Sequence, residues 1–337
     1  MSALKFILYP LISGKNSKFA FFGKGLAREL VPSRISRKAL ARVLASAKKY
    51  DIAELHDRVN YYCKLDAPEA LPPDAETLGL KKIPRKKHAY FFDSREITRY
   101  FDPNLRWCFL PGDKTKVPSV PAILKSRPIA GDNRNAVLLK LNKVRHFIFV
   151  EDELSFAEKE NIAVFRGKVH GNEKRRELFR KLFDKLGFDL GNTDTGGENP
   201  PEWSAPKMTI AEQLRCKFIF AIEGNDVASN LKWVMSSNSV AVMPRPEFET
   251  WFMEGRLVPN VHYIEVAKDY SDVEEKLRFY SEHPEEAQKI IDAAHAWVDL
   301  FRDKKREKLL QILVMRKYLK LVNPRGNGKK KKSARKD

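Results

Sequence analysis

The chain has 337 residues, of which 43% are hydrophobic and 11% aromatic, so it can bury a sizeable core and wholesale disorder is excluded. A chain of this length is more often divided into two domains than built on one core. It carries 63 Lys and Arg against 44 Asp and Glu, a formal net charge of +19. This excess favours polyanionic partners: nucleic acid, anionic membrane surfaces or phosphorylated substrates.

The three cysteines, Cys63, Cys108 and Cys216, are scattered and form no CxxC pair. They indicate a reducing compartment and argue against a disulfide framework or a zinc site. No apolar run reaches the roughly 18 residues of a membrane-spanning helix. The start, MSALKFILYPLISG, lacks the small-residue cleavage pattern of a signal peptide. We therefore expect a cytoplasmic protein.

Residues 18–49 combine nine Lys and Arg with a single acid, Glu29, and with interleaved apolar residues. After Pro32 this pattern predicts a basic amphipathic helix, either lying on an anionic membrane face or solvated with one packed face. A second basic cluster, KKIPRKK at 81–87, is predicted to be a loop because Pro84 interrupts it.

Short apolar runs of strand length then alternate with helical patterns. HFIFVED at 146–152 and IAVFRG at 162–167 read as strands, and the second precedes EKRRELFRKLFDKLG, a helical pattern that ends at Gly187. KFIFAIEG, SVAVMP and HYIEV predict further strands, with a helix at 226–236 between the first two. This alternation predicts a mainly parallel α/β domain from about 160 to 300.

Two helices and a basic tail follow. Ser271 with Glu274 predicts a capping box before the first helix, and Pro284 predicts the start of the second. The last stretch, NPRGNGKKKKSARKD at 323–337, holds seven basic residues. It is predicted to be a disordered tail and a further membrane contact.

The sequence lacks the motifs of several common classes of enzyme. It contains no Walker A loop, GxGxxG, HExxH or GxSxG, and no D-x-D that would hold a nucleotide-bound cation. If a sugar nucleotide is used, Arg, Lys and helix N-terminal amides must stabilise its leaving diphosphate.

Polar residues at predicted strand ends are the candidate phosphate contacts. Arg166, at the end of a strand, presents a planar fork that suits phosphate oxygens, although a structural salt bridge is the commoner use of such a residue. In the next strand–helix unit, EGND is followed by Ser229, Asn230 and Lys232, which places a cation near a helix N-terminus. Asn225 and Asp226 also suit simple N-capping.

Glu247 and Phe248 follow another predicted strand. A carboxylate and an aromatic ring there could offer hydrogen bonds to sugar hydroxyls and an apolar wall. An ordinary surface turn explains the same residues equally well.

In combination, these segments resemble glycosyltransferase family 90, which includes bacterial lipopolysaccharide core glycosyltransferases, fungal capsule-associated xylosyltransferases and animal protein O-glucosyltransferases. The similarity is carried by FRG at 165–167, EGND at 223–226, PEF at 246–248 and HYIEV at 262–266. It is greatest to the lipopolysaccharide branch, through RVNYYCKL at 58–65, FLPGD at 109–113, LKSRPI at 124–129 and VLLKLNKVRHFIFVED at 137–152. It runs from about residue 50 to 320.

The resemblance implies an α/β, GT-B-like architecture: two facing Rossmann-like domains, with C-terminal helices and the sugar nucleotide on the C-terminal domain. Residues 1–158 would form the acceptor-side domain with its basic amphipathic segment, and 159–300 the nucleotide-sugar-binding domain. A helix at 301–322 would pack back on the N-terminal domain, followed by the disordered tail at 323–337.

The resemblance also implies an inverting transfer, in which one general base deprotonates the acceptor hydroxyl. The matching position is Asp113, in PGDKTKVP, with Asp93, Asp102 and Asp132 as alternatives. Asp113 following Gly112 equally suits a turn.

Family resemblance places Arg166 and Lys232 at the leaving diphosphate. The remaining expected donor-site residues are Gly167, Asn225, Ser229, Asn230, Glu247, Phe248, His262 and Tyr263. Asn230 stands where animal and fungal members carry Arg, which leaves the phosphate contacts one cation short. His262 and Tyr263 equally suit a core strand with a satisfied histidine. Lys125 and Arg127 are the candidate acceptor-binding residues.

The sequence therefore predicts an inverting, metal-independent glycosyltransferase without a cofactor. It would move a hexose from UDP-glucose or UDP-galactose to the lipopolysaccharide inner core, while attached peripherally to the anionic inner leaflet of the inner membrane. A capsule or protein acceptor is an alternative, although the missing signal peptide and paired cysteines disfavour the secretory branch. A nucleic-acid-binding protein is suggested by charge alone, without a recognisable motif, so we expect no nucleic-acid partner.

Overall fold

The computed structural model describes residues 13–79, 83–84, 86–194 and 198–324. Its helices are α1 Lys18–Leu30, α2 Ser33–Ala45, α3 Ile52–Tyr62, α4 His88–Thr98, α5 Lys143–His146, α6 Glu173–Leu182, α7 Ile210–Gln213, α8 Leu231–Val234, α9 Val273–Glu282, α10 Pro284–Asp299 and α11 Lys304–Val322. Its strands are β1 Glu76–Thr77, β2 Arg106–Trp107, β3 Ala122–Leu124, β4 Ser126–Pro128, β5 Ala136–Leu138, β6 Glu160–Gly167, β7 Phe188–Asn192, β8 Cys216–Phe220, β9 Val240–Met243, β10 Phe248–Thr250 and β11 Ile264–Glu265.

The C-terminal part of the chain forms a five-stranded sheet in the order β11-β9-β8-β6-β7. Every pair in it is parallel. Within this sheet, β6 comes first in the sequence and β7 pairs on one side of it. The later strands β8, β9 and β11 follow in order on its other side. The predicted parallel α/β unit is confirmed. Because the strands are parallel, all their carboxyl ends meet at one edge, and the strand order reverses between β6 and β8.

Local patterns account for the elements around this sheet. Buried Ala163, Val164 and Phe165 in β6 form the continuous apolar run that a central parallel strand requires. The stripe predicted after Pro284 becomes the buried face of α10, with Ala287, Ile290, Ile291, Ala294 and Val298. Helix α2 confirms the helix predicted after Pro32.

The N-terminal part, residues 13–158, is built from helices and from strands of two or three residues each in the described ranges. There β1 pairs antiparallel with β2, and β3 pairs parallel with β5. A second Rossmann-like domain in this part, and the domain boundaries, stay predictions.

The N- and C-terminal parts are joined by buried polar contacts, which we call the junction. Strand β4 pairs antiparallel with β10, which comes from the C-terminal part. Helix α11 returns to the N-terminal part, where its Glu307 accepts hydrogen bonds from Arg58 Nη2 at 2.7 Å and Lys140 Nζ at 2.8 Å. The Trp251 indole, stacked on Tyr62 at 3.8 Å, donates to the same carboxylate.

Some sequence predictions were wrong in detail. The helix expected at 226–236 is only α8, because the residues before it form a loop anchored by buried Asp226. HFIFVED forms no strand. Helix α9 starts after Asp272 and has no side-chain cap, because the Ser271 hydroxyl donates to Asp269 instead.

Two predicted basic segments fall partly outside the described residues. These are residues 80–82 and 85, in and beside KKIPRKK, and residues 325–337 of the tail.

None of the helices in the described ranges is long and apolar enough to cross a membrane.

Candidate active site

Side chains at the start of α6 join the two loops at the place where the strand order reverses, between β6 and β8. We call this place the reversal point of the sheet. Asn172 caps this helix by accepting from the Arg175 amide at 2.9 Å. Its own side-chain amide donates to the carbonyls of Glu223 at 3.2 Å and Gly224 at 2.9 Å. The loop after β6 is thereby tied to the loop after β8, at the place where parallel α/β sheets bind ligands.

Arg175 fixes a positive charge at this point. Its guanidinium donates to the carbonyl of Lys168 at 2.7 Å and to that of Ile222 at 3.0 Å, so it bridges the same two loops. Burial, with Arg145 as a neighbouring cation, lowers the pKa of Arg175 to about 10. A Cβ on Gly224 would lie 3.1 Å from Nη2, so glycine leaves the guanidinium its room.

A cleft of about 610 Å³ opens beside Arg175. Its walls come from the carboxyl edge of the sheet, from α5 and from the chain around the start of α1. The cations among its lining residues are Lys15, Lys18, Arg145, Arg166, Lys168, Arg175 and Lys207, and no Asp or Glu of the described chain is among them. Its apolar lining includes Phe22, Phe165 and Trp233. Its size suits a small-molecule ligand, and its charge selects an anionic one.

Arg145 is exposed on α5 and lines the cleft together with the other cations. Burial and the neighbouring cations, Arg145 among them, lower the pKa of Lys15. The pKa of buried His146 falls well below its usual range for the same reasons, so this imidazole is neutral. A bound anion would relieve the repulsion among these groups.

Three of the predicted donor residues line the cleft through polar side chains. Arg166 does so while it pairs with Asp189 Oδ1 at 2.6 Å, so the structural salt bridge is present as well. Ser229 and Asn230 line the opposite wall. Asn230 donates to the carbonyl of Phe220 at 2.9 Å and thereby closes the end of β8. Gly167 lines the cleft too, whereas the exposed Asn225 does not.

Asp113 does not line the cleft itself and lies two hydrogen bonds behind its wall. Its Oδ1 accepts from Lys125 Nζ at 2.6 Å and from the Tyr90 hydroxyl at 3.2 Å. That hydroxyl accepts in turn from the amide of Asn142, a lining residue, at 3.5 Å. Lys125 also pairs with buried Asp226 at 2.6 Å. Residues far apart in the chain, from Tyr90 to Asp226, therefore converge on this network.

The network sets the protonation state of Asp113. Burial opposes ionisation of the carboxyl, but the Lys125 ammonium, the Arg145 guanidinium and the Tyr90 hydroxyl together outweigh it and lower the pKa of Asp113 below its usual range. Asp113 is therefore ionised at neutral pH, which is the form a general base requires.

The alternative carboxylates do not line the cleft. Asp93 is buried and paired with Lys143 at 3.3 Å, and burial raises its pKa to about 6. Asp102 closes an exposed turn, and Asp132 pairs with Arg134 at 3.4 Å on the surface. Asp113 does not line the cleft either, so the identity of the general base stays a prediction.

Two of the predicted cations, Lys232 and Arg127, do not line the cleft. Lys232 is fully buried and pairs with Glu254 at 2.5 Å. Arg127 is fully buried and pairs with Glu249 at 2.7 Å, across the β4–β10 contact. As placed, Lys232 does not reach a diphosphate in the cleft, and Arg127 does not reach an acceptor. Both charges are already neutralised inside the protein. Lys125, the other predicted acceptor residue, instead belongs to the Asp113 network.

Glu247 and Phe248 lie in a second polar cluster beside the reversal point. Lys174 Nζ contacts Glu223 at 2.6 Å and Glu247 at 2.8 Å. Lys268 contacts Glu247 at 2.7 Å, and the Phe248 amide donates to Glu223. A donor role for Glu247 and Phe248 stays a prediction.

His262 and Tyr263 lie at the start of β11, outside the cleft lining. His262 Nδ1 accepts from the Val258 amide at 2.9 Å, and its ring packs 5.3 Å from Trp297. Burial lowers the pKa of His262. Tyr263 is fully buried. Tyr263 thus agrees with the interpretation of a core residue, whereas His262 is half-buried in the turn before β11. A donor role for the two residues stays a prediction.

The sequence reasoning missed Arg145 and Arg175. In the sequence, Arg175 belongs to an amphipathic helix and reads as an ordinary surface cation. Arg145 stands next to an apolar run with no motif of its own. Both supply positive charge at the cleft, where Asn230 does not.

No group of three or more His, Cys, Asp or Glu side chains in the described ranges could hold a metal ion. Independence from metal stays a prediction.

Comparison with known proteins identifies the family of the chain. The sequence profile of Glycosyl transferase family 90 matches residues 138–333. The O-glucosyltransferase LpsA of Dichelobacter nodosus is 38% identical over 311 residues, which cover 91% of this chain and 96% of that protein. The chain belongs to glycosyltransferase family 90.

Proposed function

We propose that the protein is an inverting glucosyltransferase that moves glucose from UDP-glucose to a hydroxyl of the lipopolysaccharide inner core. The observation that carries the proposal is the cation-lined cleft at the reversal point of the sheet, with an ionised Asp113 beside it. The choice of glucose over galactose is supported by the similar Dichelobacter nodosus protein, which is named as an O-glucosyltransferase.

In this proposal the diphosphate of the donor lies among Arg145, Arg166 and Arg175. Guanidinium groups bind phosphate oxygens in pairs, and in a partly buried site their charge stabilises the negative charge of the leaving group. The cleft thus supplies the electrostatic stabilisation that other enzymes take from a bound cation. The proposed reaction needs no metal.

The transfer is a single displacement. The acceptor oxygen attacks the anomeric carbon of glucose from the face opposite the diphosphate and forms the new glycosidic bond. The bond between that carbon and the β-phosphate oxygen breaks, and UDP leaves with the electron pair. The hydroxyl proton passes to the carboxylate of Asp113, the proposed general base. One displacement inverts the configuration at the anomeric carbon.

The acceptor would approach from the N-terminal part, which supplies Asp113, and the two parts would form the GT-B-like pair. An inner core rich in anionic groups suits a chain of net charge +19. Because such an acceptor is lipid-anchored, we also propose that the protein works at the cytoplasmic face of the inner membrane.

The test is a transfer assay with purified protein, truncated lipopolysaccharide and a panel of UDP- and GDP-sugars, with and without EDTA. We expect UDP release from UDP-glucose that survives EDTA and rises with the acceptor. Product NMR should show an inverted anomeric centre. Asp113→Asn should lower kcat by roughly 10²- to 10⁴-fold. The matched control, Asp102→Asn at an exposed turn, should keep full activity.

Each step of the proposal can fail separately. Full activity in Asp113→Asn would move the base to another carboxylate, and loss of activity with EDTA would contradict the metal-free reaction. Turnover of UDP-galactose alone would change the sugar. Absence of nucleotide binding would contradict the proposed function as a whole.

A further inference from the structure

The outer face of α1 is apolar and exposed. Phe19, Leu26 and Leu30 have 91%, 51% and 85% of their surface accessible. Their spacing of seven and then four residues places them on one side of the helix. Val31 and Ile35 extend the same exposed surface through the turn into α2. We call these five residues the α1–α2 face.

The orientation of α1 is fixed by its other side. Gly25 packs so closely on α4 that a Cβ would lie 2.6 Å from the ring of Phe92. Glu29 pairs with Arg95 at 3.3 Å, and Arg28 pairs with Glu96 at 3.2 Å. Turning the apolar residues inward would break these contacts. Their exposure is therefore a property of the packed helix.

The charges around the α1–α2 face have one sign. Arg34, Lys38 and Arg42 are exposed on α2, whereas the single acid of residues 18–49, Glu29, is turned toward Arg95. Aliphatic and aromatic side chains flanked by cations are typical of helices that lie in the interface of an anionic bilayer. A nucleic acid would use the cations and leave Leu26 and Leu30 in water.

The position of α1 links this surface to the cleft. Lys18 and Phe22, on other sides of the same helix, line the cleft described above. A bilayer against the α1–α2 face would therefore lie one helix diameter from the cleft, about 10 Å. A sugar chain anchored in that bilayer would enter the cleft without leaving the membrane surface.

We propose that the α1–α2 face docks on a bilayer of anionic phospholipids, with Phe19, Leu26 and Leu30 at the level of the head groups. The benefit for catalysis rests on the proposed function; the docking itself does not.

The first test is flotation of the full chain with phosphatidylglycerol-containing vesicles and with pure phosphatidylcholine vesicles. We expect binding to the anionic vesicles that weakens with salt. The double variant Phe19→Ser/Leu30→Ser should bind at least about tenfold more weakly, since it removes two large apolar side chains from the interface. The matched control is Leu186→Ser, an exposed leucine far from α1 in the chain, which should bind as the native protein does.

The second test separates docking from catalysis. The double variant should transfer glucose to a water-soluble core oligosaccharide at the native rate, because neither residue lines the cleft. Its transfer to the same core embedded in anionic vesicles should fall by a similar factor of about ten. If no donor is turned over by any variant, the proposed function fails while flotation still decides the docking.

Three results would overturn the proposal. The double variant could bind vesicles as tightly as the native chain, or the native chain could ignore anionic vesicles. Alternatively, the native chain could form a dimer that the double variant abolishes, which would assign the face to a second copy. Thermal unfolding of the double variant checks that it is folded in each case.

Discussion

The cleft and the junction are both rich in Lys and Arg but use them in opposite ways. At the junction, Arg58 and Lys140 are buried against Glu307, and Arg127 is buried against Glu249. In the cleft, Arg175 donates only to backbone carbonyls, and no carboxylate of the described chain is among the lining residues. Cations of the junction are neutralised within the protein. In the cleft, Arg166 is paired as well, with Asp189, whereas Arg145 and Arg175 leave positive charge for a ligand.

The two arrangements differ in what a substitution costs. Removing one member of a buried ion pair leaves an uncompensated charge in a medium of low dielectric constant, so the folded state loses free energy. Removing an exposed cation costs little stability and takes binding energy from an anionic ligand. The following substitutions test this contrast.

The largest effect is expected from Glu307→Ala. It leaves the buried cations of Arg58 and Lys140 without their carboxylate and removes the acceptor of the Trp251 indole. The free energy of unfolding should fall by about 3–5 kcal/mol, measured by denaturant titration. The control is Glu286→Ala, whose pair with Lys289 is on the surface and whose loss should not be measurable. Equal, small losses in both variants would contradict the contrast.

Arg145→Ala should weaken donor binding without changing stability. Charge-assisted hydrogen bonds contribute roughly 1.5–3 kcal/mol, so the Kd for UDP and the donor KM should rise about 10- to 100-fold. Titration calorimetry with UDP measures the first, and initial rates the second. Arg215→Ala is the control, an exposed arginine paired with Glu160 outside the cleft. An unchanged Kd in Arg145→Ala would remove this residue from the donor site.

A graded change in pH dependence is expected from the Asp113 network. Lys125 lowers the pKa of Asp113 more than Tyr90 does, while burial raises it. Lys125→Met should therefore raise the pKa of Asp113, and the acid limb of the kcat/KM profile should move to higher pH. Tyr90→Phe should move it in the same direction by less. An acid limb that stays in place in both variants would belong to another group.

The smallest effect is expected from His262→Gln. Loss of the hydrogen bond from the Val258 amide should cost about 1 kcal/mol of stability at most. The donor KM should stay within about twofold of the native value, since His262 does not line the cleft. A larger rise in KM would return His262 to the donor site, as the sequence predicted.

Local patterns in the sequence were sufficient for the sheet and much of the helical part. The apolar run of β6 and the stripe of α10 form as predicted, because each depends on neighbours a few residues away. The amphipathic pattern of α6 also forms a helix, but this helix ends at Leu182 and not at Gly187. The helix expected at 226–236 failed because Asp226 is held by Ser126, 100 residues earlier in the chain. A contact of that separation leaves no local signal.

In the candidate site, too, local patterns placed some residues correctly and others not. Arg166, Gly167, Ser229 and Asn230 were predicted and lie together, because the first two end a parallel strand, the other two follow its neighbour, and the carboxyl ends of these strands must meet. Lys232 was predicted to contact the leaving diphosphate because of its position near a helix N-terminus. Its side chain instead points into the interior, where Glu254 neutralises its charge. Its partner lies 22 residues further along the chain, beyond strands β9 and β10.

By itself, the sequence determined the basic character of the chain, the parallel α/β unit and the family motifs, since composition and short-range periodicity contain these. Only the tertiary structure decided which cations keep a free charge, because that depends on carboxylates brought close from distant segments. Arg58 and Glu307 are 249 residues apart in the chain, and their side chains meet at 2.7 Å. Arg145 and Arg175 meet no such carboxylate in the lining of the cleft, and that difference makes them the proposed phosphate contacts.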